Sequence, residues 1–336
     1  MEYLEIKGNT RLGGEIDVHG AKNSVLPILA GAVLIKGESV IHNCPDLSDV
    51  RVTINILRHL GAKVKKEGST LIVNTEKITT GNIPEEMMQE MRSSIIFLGA
   101  LASRTGRACL FLPGGCDIGL RPIDLHLKAL EAFGYELDFD GVNICCENNN
   151  AKASKIVFPF ESVGATENAI LASVFLKGTT TIINAAREPE IEDLADYLNS
   201  AGAKIRGAST SVIEIEGVEK LFSTQHTVIP DRIVASTYMS AAAITFGDLL
   251  IRNVNHSHLA PVFPPFYEMG CELYLAHNSL RIKAPSELRR VKITKTGAFP
   301  GFPTDSQATL MAALSVARGS SVIKENIFEN RFRHVP

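Results

Sequence analysis

The chain has 336 residues, 45% of them hydrophobic and 21% charged, with 34 Lys and Arg against 37 Asp and Glu for a net charge of −3. That length suggests two domains with core enough for each, and a near-neutral balance with no basic run longer than a pair argues against a nucleic-acid partner. The start, Met1-Glu2-Tyr3-Leu4-Glu5-Ile6-Lys7, alternates like a strand rather than a signal peptide, and no apolar run would span a bilayer, so a cytoplasmic protein without a membrane partner is expected.

After that strand, residues 24–34 are apolar nearly all round, as in Val25-Leu26-Pro27-Ile28-Leu29-Ala30, which predicts a fully buried helix. A glycine turn at Gly37 then enters a short apolar strand ending at Asn43, an amphipathic helix follows, and Leu60-Gly61-Ala62 closes that helix and opens the next strand. The pattern returns. Strands with the same glycine entry begin at Gly106, Gly178, Gly247 and Gly319, about 70 residues apart. Helix-closing glycines recur at Gly134, Gly202 and Gly270, and apolar helices are expected over 93–102, 167–176, 233–244 and 307–316.

Each repeat thus runs helix, strand, amphipathic helix, strands, a βαβαββ-type unit in an α/β fold. Helices apolar on every side belong inside, which places the sheets outside them and predicts an inside-out α/β barrel. A fifth repeat would reach its second glycine about 24 residues after Gly319, as Gly61 follows Gly37, past Pro336, so the second domain is expected to be incomplete, with about one and a half of three repeats.

Six cysteines (Cys44, Cys109, Cys116, Cys145, Cys146, Cys271) show no disulfide-framework spacing and no CxxC pair, so neither disulfides nor a metal site is expected. His256 and His258 lack an acidic or thiol partner at ligand spacing. One cysteine differs in setting. Pro113-Gly114-Gly115-Cys116-Asp117-Ile118-Gly119 places a thiol in a glycine-hinged loop with Arg121 five residues on, which fits either a reactive thiol on a lid or a tight turn. Asp305, after Pro303-Thr304 at the start of an apolar helix, fits either a helix cap or a proton acceptor.

In order along the chain, Gly20-Ala21-Lys22-Asn23, Met91-Arg92-Ser93-Ser94, the Cys116 loop with Arg121-Pro122-Ile123-Asp124-Leu125-His126, Ser162-Val163-Gly164-Ala165-Thr166-Glu167-Asn168, Pro303-Thr304-Asp305-Ser306-Gln307 and Ile327-Phe328-Glu329-Asn330-Arg331-Phe332 resemble the motifs of the enolpyruvyl transferases. The resemblance implies two domains of three repeats, 22–229 and 1–21 plus 230–336, and relatives that continue beyond Pro336 with two further site arginines. It implies transfer of the enolpyruvyl group of phosphoenolpyruvate to the 3′-hydroxyl of UDP-N-acetylglucosamine with release of phosphate, the first committed step of peptidoglycan synthesis. These two small molecules are the implied partners, with no cofactor.

By the same resemblance Cys116 is the general acid and the site of fosfomycin attack, Asp305 the base, and Lys22 and Arg121 the cations facing phosphoenolpyruvate. Arg92 and Arg331 support that anion site. The acceptor would be held by Asn23, by Arg121, Pro122, Ile123, Asp124 and Leu125 around the uracil, by Asp305 and Ile327, and by Ser162, Val163 and Gly164 at the diphosphate. Gly164 also fits an ordinary tight turn, and Glu161 beside it is an unfavourable charge for a diphosphate. A non-catalytic UDP-sugar-binding protein and the sister activity on shikimate 3-phosphate are the competing readings.

Overall fold

The computed structural model describes residues 3, 5, 7–112 and 122–335, in two compact units: residues 20–229, and residues 1–19 with 230–336. The first unit opens at Gly20 rather than at 22. Ala21 N donates to Ile229 O at 2.8 Å, so the entering and leaving chain segments are bonded to each other within that unit.

In chain order the elements begin with β1 (Gly13–Asp17), α1 (Lys22–Gly31), β2 (Glu38–His42), α2 (Ser48–His59), β3 (Lys63–Glu67), β4 (Thr70–Asn74), β5 (Asn82–Ile83) and α3 (Glu85–Glu90). Next come α4 (Phe97–Thr105), β6 (Arg107–Phe111), α5 (Asp124–Phe133), β7 (Glu136–Phe139), β8 (Asn143–Glu147), β9 (Lys155–Val157), α6 (Val163–Ser173) and β10 (Thr179–Ile183). They are followed by α7 (Pro189–Ser200), β11 (Lys204–Arg206), β12 (Val212–Glu216), β13 (Thr224–Thr227), α8 (Arg232–Ile244), β14 (Asp248–Arg252) and α9 (His256–Leu259). The remainder is α10 (Phe263–Met269), β15 (Glu272–Ala276), β16 (Ser279–Lys283), β17 (Thr294–Lys295), α11 (Gln307–Leu314) and β18 (Ile323–Lys324).

Among the described residues every four-stranded sheet follows one plan, with a parallel edge strand contributed from outside the repeat that supplies the rest and then two antiparallel pairings. The first unit has β13-β2-β4-β3, β5-β6-β8-β7 and β9-β10-β12-β11; the second has β1-β14-β16-β15. Because β5 leaves the first repeat for the second sheet, β9 the second for the third, and β13 the third for the first, the three repeats close on one another. In the second unit the parallel pair β17–β18 repeats the edge pairing that opens each sheet.

The recurring asparagines have a structural cause. Asn43, Asn184 and Asn253 take the left-handed conformation (φ 59°, 58° and 55°), which asparagine tolerates better than other side chains. Each amide nitrogen then donates to a backbone carbonyl outside its strand: Val228 O at 2.9 Å, Phe158 O at 3.0 Å and Val18 O at 2.6 Å. Gly20 is fixed by proximity instead, since a Cβ there would lie 1.8 Å from Asn43 O.

Helix α1 buries every residue from Ser24 to Gly31, and α6 every residue from Ala165 to Ser173, as expected for helices without a polar face. Helix α4 packs against both, and the amphipathic α2, α5 and α7 flank them; α2, for instance, buries Val50, Thr53, Ile54, Ile56 and Leu57 on one side. Burying each large aliphatic side chain contributes about 1.5–3 kcal/mol. The second unit has a separate core around Met239, Phe266, Met269, Leu280, Ile282 and Leu310, in which α8 packs on α11.

One expectation fails here. Cys109 and Cys145 form a disulfide, although their spacing suggests no framework. The cause is register: β6 and β8 are antiparallel and place residue 109 directly opposite residue 145. Cys44, Cys146 and Cys271 are buried free thiols, each pushed up to about 12 by burial. No helix among the described residues is long and apolar enough to cross a membrane.

Candidate functional site

Cys116 and Arg121, with the rest of residues 113–121, lie outside the described residues. The other predicted residues fall into clusters that are built within each unit.

In the first unit Lys22 and Asn23 open α1, which has no side-chain cap at its start. The Lys22 ammonium is half-buried and pairs with Asp49 in the first turn of α2, Nζ to Oδ2 3.1 Å. Asn23 is exposed. Arg92 opens the short 3₁₀ turn over 92–96, which packs against α1, α4 and α6.

A second cluster joins the starts of α5 and α6. Asp124 lies in the first turn of α5 and pairs with Lys128 at 3.1 Å, with Ile123 before it, Leu125 buried and Pro122 exposed. Ser162 caps α6 by accepting from Ala165 N at 3.4 Å, and Val163 and Gly164 form the first turn. His126 connects the two. A Cβ at residue 164 would lie 3.2 Å from its Cε1, so glycine is what lets α6 approach the imidazole. Glu161 is 3.9 Å from Arg187, which offsets the negative charge beside this turn.

The His126 ring also contacts Asn168, whose amide is oriented by its own partners. Asn168 Oδ1 accepts from Gly99 N at 2.7 Å, so its nitrogen faces Ile95 O at 3.2 Å and His126 Nδ1 at 3.0 Å. Nδ1 is therefore an acceptor and the proton sits on Nε2. Burial pushes this imidazole down to about 4, with Arg92 pushing the same way and Asp124 opposing.

In the second unit Asp305 occupies the 3₁₀ turn Thr304–Ser306 ahead of α11. It does not cap that helix through its side chain; Oδ1 instead accepts from Arg331 Nη2 at 2.9 Å. Arg331 is the more buried partner, 16% exposed against 41%, and its guanidinium lies 6.0 Å from the Phe328 ring centroid. Glu325 ties the segment together by accepting from Thr296, Thr304 and the Ile327 and Phe328 amides, which leaves the Ile327 side chain at the surface.

The structure adds residues that sequence reasoning passed over. Glu167, within the 162–168 motif, is buried and its carboxyl is raised well above the usual range by burial, then by Glu190 and Glu188. Asp49, the partner of Lys22, and the buried Asp193 read in the sequence as ordinary helix-surface acids. No local signal separates them from solvated neighbours such as Glu192. A cavity of about 490 Å³ between α2 and the β3–β4 hairpin, floored by Cys44, Ile54 and Leu71, contains none of the predicted residues.

Comparison with known proteins gives a consistent picture. A profile of the EPSP synthase (3-phosphoshikimate 1-carboxyvinyltransferase) family matches residues 6–336. A protein of Caldanaerobacter subterraneus subsp. tengcongensis named UDP-N-acetylglucosamine 1-carboxyvinyltransferase 2 is 47% identical over 334 residues, 99% of this chain and 80% of that one. Its namesake in Carboxydothermus hydrogenoformans is 45% identical over 337 residues, 100% and 80% of the two chains. Among solved structures, the enolpyruvyl transferase NikO of Streptomyces tendae superposes with a TM-score of 0.88 at 25% identity, over 98% of this chain and 78% of that one.

Proposed function

The chain belongs to the EPSP synthase family of enolpyruvyl transferases, and on that premise we propose that it transfers the enolpyruvyl group of phosphoenolpyruvate to the 3′-hydroxyl of UDP-N-acetylglucosamine, releasing phosphate. The observation that carries this reading is the 47% identity, over 99% of the chain, with a protein named for that activity. Peptidoglycan synthesis is the process it serves. Both substrates are charged metabolites of the cytoplasm, where we place the reaction.

The chemistry is addition followed by elimination. A proton is delivered to the methylene carbon of phosphoenolpyruvate, the sugar hydroxyl attacks C2, and loss of phosphate with a methyl proton restores the double bond. Cys116 is the acid: a thiol with an ordinary pKa of about 8.5 carries its proton at neutral pH. Asp305 takes the hydroxyl proton, and its ion pair with Arg331 orients the carboxylate. A positioned acid or base typically contributes roughly 10²- to 10⁴-fold.

Lys22 and Arg121 receive the carboxylate and phosphate of the donor, with Arg92 and Arg331 in support. Lys22 pairs with Asp49, so an anionic donor competes with that carboxylate for the ammonium. The acceptor is recognised by Asn23 on the sugar, by Arg121, Pro122, Ile123, Asp124 and Leu125 around the uracil, by Asp305 and Ile327, and by Ser162, Val163 and Gly164 at the diphosphate. The cap at Ser162 and the amides of the first turn of α6 suit an anion.

The test is phosphate release from phosphoenolpyruvate with each acceptor in turn. Release with UDP-N-acetylglucosamine and none with shikimate 3-phosphate is expected. The reverse selectivity, or calorimetric binding of the nucleotide sugar without turnover, overturns the proposal.

A further inference from the structure

We propose that Asp193 is a positioning residue that holds the Lys22–Asn23 turn of α1 in place. The inference rests on the functional reading of Lys22 and Asn23 given above and extends it to a residue outside every motif. Asp193 lies on α7, is 3% exposed, and binds three segments at once. Ser24 Oγ donates to Oδ2, Ile229 N donates to the same oxygen at 3.3 Å, and His226 Nε2 lies 2.7 Å from Oδ1.

These bonds form a circuit around the turn. Ser24 is fully buried and follows Asn23 directly; Ile229 is the last residue of the first unit, and its carbonyl accepts from Ala21 N at 2.8 Å. Residues 21 and 24, on either side of Lys22 and Asn23, are thus both fastened to Asp193, one directly and one through Ile229. Helix α1 has no side-chain cap of its own, so this outside carboxylate takes over the task of fixing its first turn. A buried carboxylate suits the place because it accepts only, and all of its partners here donate. His226 accordingly carries its proton on Nε2, with its ring edge-on to Tyr197 at 5.7 Å.

Steady-state kinetics on the whole chain tests the proposal with the variants Asp193→Ala, Asp193→Asn, Ser24→Ala and Tyr197→Phe. An asparagine retains one oxygen for Ser24 and Ile229 and turns its amide toward His226, which accepts after a change of tautomer. Tyr197→Phe removes a buried hydrogen bond to Ser39 from the same helix, 2.8 Å long, that does not lead to α1, and so controls for loss of stability alone.

Displacing a substrate-binding turn by about 1 Å costs on the order of 100-fold. Asp193→Ala and Ser24→Ala should therefore lose about 10- to 100-fold in kcat/KM for phosphoenolpyruvate, mainly through KM. Asp193→Asn should recover most of that loss, and Tyr197→Phe should stay within about threefold of the parent. Amide hydrogen exchange of residues 22–26 should quicken in the first two variants and not in Tyr197→Phe.

Parent-like kinetics in Asp193→Ala, or equal impairment in Tyr197→Phe, overturns the proposal. If Asp193→Ala does not fold, Ser24→Ala decides by the same readouts. If the parent itself shows no turnover, the functional reading falls, and the exchange rates alone decide whether Asp193 fastens α1.

Discussion

Replacing His126 by Asn tests the buried junction of α5 and α6 quantitatively. The native imidazole is nine-tenths or more buried, accepts from Asn168 at Nδ1, and is pushed down from 6.5 to about 4, first by burial. Its folded pKa lies below its unfolded one, so the stability it contributes is complete above pH 6.5 and is lost as pH falls toward 4. Between those values the unfolded chain binds the extra proton. Integrating the linkage relation from pH 7 to pH 5 gives a loss of about 2 kcal/mol from this one group.

Asparagine keeps an acceptor oxygen near Nδ1 but does not titrate. His126→Asn should be less stable at pH 7, because it leaves a cavity, yet should lose about 2 kcal/mol less than the parent between pH 7 and pH 5. Urea unfolding at the two pH values, monitored by circular dichroism, supplies the comparison. Glu167 acts with the opposite sign: its raised carboxyl stabilises below its unfolded pKa, and that contribution is lost as pH rises through the folded value. It acts in both proteins and cancels in the difference. Equal pH dependence in parent and variant would refute the buried neutral imidazole.

Other outcomes follow from the same structure. Asp305→Asn should reduce kcat by roughly 10²- to 10⁴-fold while changing stability by less than about 1 kcal/mol, since the carboxylate is 41% exposed and its ion pair is partly screened; phosphate release and thermal melting separate the two effects. Alkylation of the unreduced, unfolded chain should spare Cys109 and Cys145, and their reduction should lower stability by at most about 4 kcal/mol, the loop-closure value for a separation of 36 residues. Fosfomycin should add covalently to the parent and leave Cys116→Ser unmodified, as read by intact mass.

How much was legible in the sequence follows from what kind of interaction encodes each feature. The repeat could be read because its glycines and asparagines answer to local backbone demands: Gly134 and Gly270 close helices in the left-handed region, as Asn43, Asn184 and Asn253 close strands. Buried helices such as α1 and α6 could be read because they lack a polar face. The Cys109–Cys145 bond could not, since it depends on the register between β6 and β8, set by partners dozens of residues apart.

Nor could the partners of the candidate residues be read. Asp49 facing Lys22, Arg331 facing Asp305 and the carboxylate of Asp193 owe their places to packing among separate elements, and locally each resembles any charged residue on an amphipathic surface. A side-chain cap is one of the two local readings of Asp305. It gave way because the long Arg331 side chain offers a charged partner that the helix start does not.

The most direct test of the proposed chemistry is turnover of phosphoenolpyruvate and UDP-N-acetylglucosamine in deuterium oxide, with mass analysis of the product. Protonation of the methylene carbon creates a methyl group that loses one of three hydrogens on elimination, so deuterium should appear in the vinyl position of the transferred group. Product formed with no deuterium at that carbon would contradict addition–elimination.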